Sequence, residues 1–219
     1  MFNFAFPTIE MEFPVKQIQI MESAEKLFAE KGFAGTSVRD IADEAGVNLA
    51  MISYYFGSKE KLLEAIFRYR GEYIKLQLES MIQNTTMSSL EKMTMLMDNY
   101  INRIMQQQCF HKIMAREQMM DVGGTTSKLI RQLKKTNQDL VSQIITEGQK
   151  KGEFKKNIDV PLMMATLIGT TSHLVTTQHY YRELNDLQSM SNEKFQEHLK
   201  KKLSNHLKII LKAILTYEK

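Results

Sequence analysis

A chain of 219 residues and 25.4 kDa has room for one or two domains and a sizeable core, and 43% hydrophobic with 25% charged residues excludes wholesale disorder. Three prolines and ten glycines are too few for many short strands joined by tight turns, and the single cysteine, Cys109, excludes an internal disulfide framework and fits a reducing compartment. The net charge of +4 lies in the C-terminal part: residues 16–75 hold nine basic and nine acidic residues, so bulk charge gives the N-terminal third no affinity for nucleic acid.

Residues 1–15 carry Phe2, Phe4, Phe6 and Phe13 broken by Pro7 and Pro14, with no helical period, and are expected to form a loosely held N-terminal arm or to include residues ahead of a true start at Met11. The first lysine is Lys16, so these residues lack the charged start of a secretory signal, which predicts a cytoplasmic protein. Ile18, Met21, Ala24, Leu27 and Phe28 then mark one buried helix face that stops near Lys31-Gly32. Val38, Ile41, Ala42 and Ala45 repeat the pattern in a shorter helix that opens on the capping box Ser37-x-x-Asp40. Gly46 follows where a tight turn needs a left-handed backbone, Val47 fills the angle, and Asn48 is placed to cap the next helix, Leu49 to Tyr55. Ile52 and Phe56 suffice to hold so short a helix, which leaves an uncharged polar and aromatic face pointing elsewhere. Two helices joined by such a turn form a helix-turn-helix, whose second helix enters the major groove of DNA.

Helical stretches continue to the C-terminus, separated by polar breaks at 84–86, 121–126, 150–157 and 184–191, and predict an all-α chain of about nine helices. Val160 to Tyr181 is 22 residues without a formal charge, but its threonines, histidines and glutamine make it too polar for a membrane, and it reads as one helix buried between others. The small run Gly169-Thr170-Thr171-Ser172, together with Leu199, Leu203, His206, Ile209, Ile210, Ala213 and Ile214 of the last helix, suggests a dimer bundle or a close contact within one subunit.

Ala24-x-x-Leu27-Phe28-x-x-x-Gly32-Phe33, Thr36-Ser37-Val38-x-x-Ile41-Ala42, Ala45-Gly46-Val47 and Ser53-Tyr54-Tyr55-Phe56-x-Ser58-Lys59-x-x-Leu62 occur in this order, and with them Met21 to Phe67 resembles the DNA-binding domain of the TetR family of transcriptional repressors. After the arm at 1–15, the resemblance implies a DNA-binding domain over 16–62 and a larger helical domain over 63–219. That last domain would bind a small hydrophobic effector and dimerise through the last two helices, on a near-palindromic double-stranded DNA operator. It also places Thr36, Ser37 and Arg39 against phosphates, Asn48, Leu49, Ala50 and Ser53 on base edges, Tyr54 and Tyr55 on the backbone or a thymine methyl, and Lys59 on a further phosphate. Leu49-Ala50 stand where the family often has a small polar pair or Lys-Gly; Leu49 cannot hydrogen-bond a base edge and favours contact with thymine.

For the effector, the sixteen methionines suit an adaptable pocket, and Phe110, His111, Met114, His173, Thr177 and Tyr180 form the candidate lining; core packing is the plainer role for each. No phosphate loop, hydrolytic triad or metal-ligand spacing is present, so the sequence predicts no enzyme, cofactor or metal. A rival reading keeps the N-terminal bundle as mere scaffold for a helical ligand-binding or protein-interaction protein.

Overall fold

A computed structural model describes residues 13–120 and 123–216. Most of the expected arm, residues 1–12, lies outside the described residues, as do Asp121, Val122 and residues 217–219. Regular structure among the described residues is entirely helical: α1 (Val15–Lys31), α2 (Val38–Ala45), α3 (Leu49–Phe56), α4 (Lys59–Gln83), α5 (Ser89–Gln106), α6 (Gln108–Met120), α7 (Thr125–Lys150), α8 (Val160–Thr176), α9 (Gln178–Leu184) and α10 (Asn192–Leu215).

Ten helices are described where the periodicity suggests about nine, and two of the breaks between them carry no glycine or proline. Gln107 ends α5 at φ −113°, ψ 47°, yet its N–H still donates to the Arg103 carbonyl at 2.7 Å. Thr177 ends α8 in the same manner, its N–H and hydroxyl both donating to the His173 carbonyl at 2.9 and 2.8 Å. Val160 to Tyr181 is therefore not one helix. Nor is it buried all round, since Leu162 and Ile168 are exposed on α8. No helix among the described residues is long and apolar enough to cross a membrane.

The helices form two compact units: one takes the chain up to Leu76 together with Cys109–Leu133, the other Gln77–Gln108 together with the chain from Lys134 onwards. A boundary between Leu62 and Leu63 falls within α4, and the first unit runs on past it.

In the first unit, the spacing of Ile20, Met21, Ala24, Leu27 and Phe28 turns one face of α1 onto Ile41, Ala42 and Ala45 of α2, Ile52 and Phe56 of α3, and Leu62, Ile66 and Phe67 of α4. Phe110 and Ile113 of α6 and Ile130 of α7 complete the same core. Glu25 sits on the buried side of α1 and accepts from Arg70 Nε of α4 at 3.0 Å. Burial raises the Glu25 carboxyl above its ordinary pKa, and the Arg70 guanidinium pulls it back down.

In the second unit, α5, α8 and α10 pack on one another. Phe195, Leu199, Leu203, Leu207, Leu211 and Leu215 form an unbroken i, i+4 stripe on the inner side of α10. Leu199 and Leu203 thus belong to the subunit's own core and not to a dimer face; Ile209 lies on the opposite side, exposed with His206 and Ala213. Lys92 is buried in this unit and is neutralised by Glu147 at 2.9 Å. Hydrogen bonds from Lys151 and Lys92 hold the Glu147 carboxyl below its usual range.

Gly46 closes α2 in the left-handed region at φ 60°, ψ 39°, where a Cβ would meet nothing within 4 Å. A side chain there suffers from backbone conformation alone. Gly46→Ala is expected to lower the unfolding free energy by about 1 kcal/mol in a urea titration without loss of helicity, and Gly46→Asn by less.

Candidate nucleic-acid interface

Four features set the turn between α2 and α3. Gly46 N–H donates to the Asp43 carbonyl at 3.2 Å and Val47 N–H to the Ala42 carbonyl at 3.0 Å, which closes α2. Val47 packs on the core at the angle between the helices. Gln19 of α1 reaches across to donate to the Ala45 carbonyl at 2.7 Å, so the end of α2 is held from two sides. Asn48 then caps α3, its side-chain oxygen accepting from Ala50 N–H at 2.9 Å.

Of the eight residues of α3, only Ile52 and Phe56 are buried. Met51 and Tyr55 are half-buried, and Tyr55 lies against the core with its ring edge-on to Tyr54 and Phe56. Leu49, Ala50, Ser53 and Tyr54 face outward with the capping Asn48, and Tyr54 is 83% exposed. An exposed tyrosine this large on a docked helix is not core. From Gly46 to Ser58 there is no charged residue, so whatever this face binds, it reads by shape, neutral hydrogen bonds and apolar contact.

The N-terminus of α2 is less open than the sequence suggests. The Ser37 hydroxyl accepts from Asp40 N–H at 3.1 Å and donates to the Asp40 carboxylate at 2.6 Å, while Ser37 N–H donates to the same carboxylate at 2.9 Å. Those bonds from the Ser37 hydroxyl and backbone hold the Asp40 carboxyl below its ordinary pKa. Ser37 is thus engaged as a cap, and the N–H groups left to an anion are those of Val38 and Arg39, which the helix cannot satisfy itself. Arg39 is exposed beside them. Glu44, further along α2, is paired with Lys26 of α1 at 2.7 Å.

Two residues depart from the roles that the resemblance gives them. Thr36 is buried, and its hydroxyl lies within hydrogen-bond distance of the Leu27 and Gly32 carbonyls at 3.2 and 2.8 Å, so its side chain stitches the end of α1 and does not face outward. Lys59 is half-buried; its ammonium donates to the Phe33 and Thr36 carbonyls at 2.9 and 2.8 Å and lies 4.3 Å from the centre of the Phe33 ring. It pins the α1–α2 loop to the start of α4 and keeps one of its three donors for another group. Sequence reasoning also missed the Glu25–Arg70 pair. Its signal was legible: a carboxylate at a buried phase of α1 requires a partner.

The candidate effector residues divide between the units. Phe110, His111 and Met114 stand on α6 in the first unit, where Phe110 is core and its ring lies 5.4 Å from that of Phe67. Burial lowers the pKa of His111. His173, Thr177 and Tyr180 belong to the second unit; His173 and Tyr180 are exposed, and the Thr177 hydroxyl is spent on the helix end. Among the described residues there is no cluster of His, Cys, Asp and Glu able to hold a metal.

Comparison with known proteins agrees with this geometry. Residues 20–66 match the model of bacterial regulatory proteins of the tetR family, and residues 90–204 match the tetracyclin repressor-like C-terminal domain. The chain is 27% identical over 178 residues to the fatty acid metabolism regulator protein of Bacillus subtilis, covering 81% of this chain and 90% of that one. The ketosteroid transcriptional regulator KstR2 of Mycobacterium tuberculosis shares the fold with a TM-score of 0.71 at 22% identity, over 94% of this chain and 98% of that one. The transcriptional regulator FadR of Bacillus subtilis, solved in complex with stearoyl-CoA, does so with a TM-score of 0.64 at 24% identity, over 87% and 96%. An eight-residue helix that projects an uncharged face beyond a capped glycine turn, and family matches over both parts of the chain, lead to one conclusion: this protein belongs to the TetR family and is a ligand-responsive, DNA-binding transcriptional repressor.

Proposed function

We propose that the repressor acts in the cytoplasm as a homodimer on a near-palindromic operator, with α3 of each subunit in the major groove and the two half-sites about one helical turn, roughly 34–36 Å, apart. The outward face of α3 carries this reading: Asn48, Leu49, Ala50, Ser53 and Tyr54 toward base edges, Tyr55 at its margin, Arg39 with the free N–H groups of α2 toward phosphate, and the spare donor of Lys59 toward a second phosphate. Ser37 serves as the cap that fixes this end of α2.

Dimerisation is supported by large apolar side chains exposed on the single subunit: Leu162 and Ile168 of α8, and Ile209 of α10. Small residues Ala165 and Gly169 lie exposed beside Ile168, which suits close approach of a second helix.

The effector in this reading is a hydrophobic molecule of the long-chain acyl type, held in the C-terminal part of the chain. Support comes from the relative named for fatty acid metabolism and the FadR structure titled with stearoyl-CoA. Such a ligand releases DNA only through differential affinity for the two shapes of the dimer; a hundredfold preference corresponds to about 2.7 kcal/mol.

Four tests bear on these assignments. Ser53→Ala with Tyr54→Ala should weaken binding to DNA from the protein's own promoter region at least tenfold in fluorescence anisotropy while helicity and mass in solution stay unchanged; undiminished binding would remove α3 from the groove. Arg39→Ala should reduce the slope of log affinity against log salt by about one per half-site. Thr36→Val, by contrast, should lower the melting temperature and leave that slope alone. Stearoyl-CoA should release the operator where coenzyme A alone does not, and equal effects of the two would refute an acyl effector.

A further inference from the structure

The end of α3 that carries the first base-facing positions has almost no polar equipment. Leu49 and Ala50 occupy its first turn, Leu49 being 42% exposed and Ala50 exposed beside it. Asn48, the one amide side chain at this end, has its oxygen committed to Ala50 N–H at 2.9 Å. Polar readout is left to the amide N–H groups of Asn48, just ahead of the helix, and to Ser53 and Tyr54, one turn further along. In helix-turn-helix proteins the N-terminal residues of the recognition helix are those that meet base edges. The major-groove edges of guanine, cytosine and adenine are hydrogen-bonding groups, whereas thymine adds an apolar one, its C5-methyl. Pressing Leu49 onto a donor or acceptor strips that group of water and returns no bond, a penalty that selects against it. Pressing it onto a methyl buries two apolar surfaces at once.

We propose that Leu49 and Ala50 are specificity-determining residues that read thymine methyl groups, so that each operator half-site has one or two obligatory thymines opposite the start of α3, chosen without a hydrogen bond. This rests on the reading of α3 as the helix in the groove.

The test begins with selection of a duplex from a randomised library by the full-length protein, followed by anisotropy on that duplex with single thymines replaced by deoxyuridine, which keeps base pairing and removes the methyl. At one or two positions per half-site the replacement should weaken binding about fourfold, and about fifteenfold when both half-sites are altered. 5-Methylcytosine at the same position should bind more tightly than cytosine by a similar factor. Leu49→Ala, an exposed change to a residue of high helix propensity, should erase the thymine–uracil difference at one position while preserving it elsewhere. If deoxyuridine matches thymine at every position, or Leu49→Ala weakens both duplexes equally, the methyl reading is overturned while operator binding stands. If no duplex is retained at all, the groove assignment falls and takes this inference with it.

Discussion

Burial of two side chains, Ile52 and Phe56, is the constraint from which the rest of the DNA-facing architecture follows. An eight-residue helix cannot sustain itself in water, so α3 exists only because those two residues enter the core shared by α1, α2 and α4. With two positions inside and two more half-covered, the other side chains have nowhere to go but outward. The turn at Gly46 fixes the direction in which they leave, and the bonds of Gln19 and Asn48 fix where α2 ends and α3 begins. Recognition surface and core are two sides of one short element.

The residues nearest this surface hold it in place more than they reach from it. Thr36 and Lys59 spend their polar groups on carbonyls at the end of α1 and in the loop after it, and Ser37 spends its own on Asp40. Preorganising a neutral reading face in this way is a sound physical strategy, because a surface without formal charge draws little from long-range attraction and depends on fit.

Much of this was legible in the sequence because the signals are local. The capping box at Ser37, the glycine turn, and the 3.6-residue period of α1 and α2 each depend on neighbours a few positions away, and each is where the sequence pattern puts it. The outward face of α3 was likewise deducible from Ile52 and Phe56 alone. What the pattern hides is the direction of a side chain once the chain folds back. Thr36 is a small hydroxyl at a helix start, equally suited to a phosphate or to a carbonyl nine residues earlier, and only the approach of Leu27 decides. The α5–α6 and α8–α9 breaks left no trace because Gln107 and Thr177 turn the chain while keeping a helical hydrogen bond. On α10, both faces are rich in leucine or isoleucine, so periodicity marks a helix but not which stripe stays within the subunit.

The membership of α6 in the same compact unit as the reading helices bears on how such regulators can be recombined. Phe110 and Ile113 from α6 and Ile130 from α7 fill out the core beneath α1 and α4, and Arg116 donates to the Phe28 carbonyl near the end of α1 at 3.1 Å. A chimera that grafts only the first sixty or seventy residues onto a foreign sensor leaves that hydrophobic seam bare, open to non-specific adhesion and loss of cooperativity. A transplantable reader must carry its own α6 and the opening turns of α7.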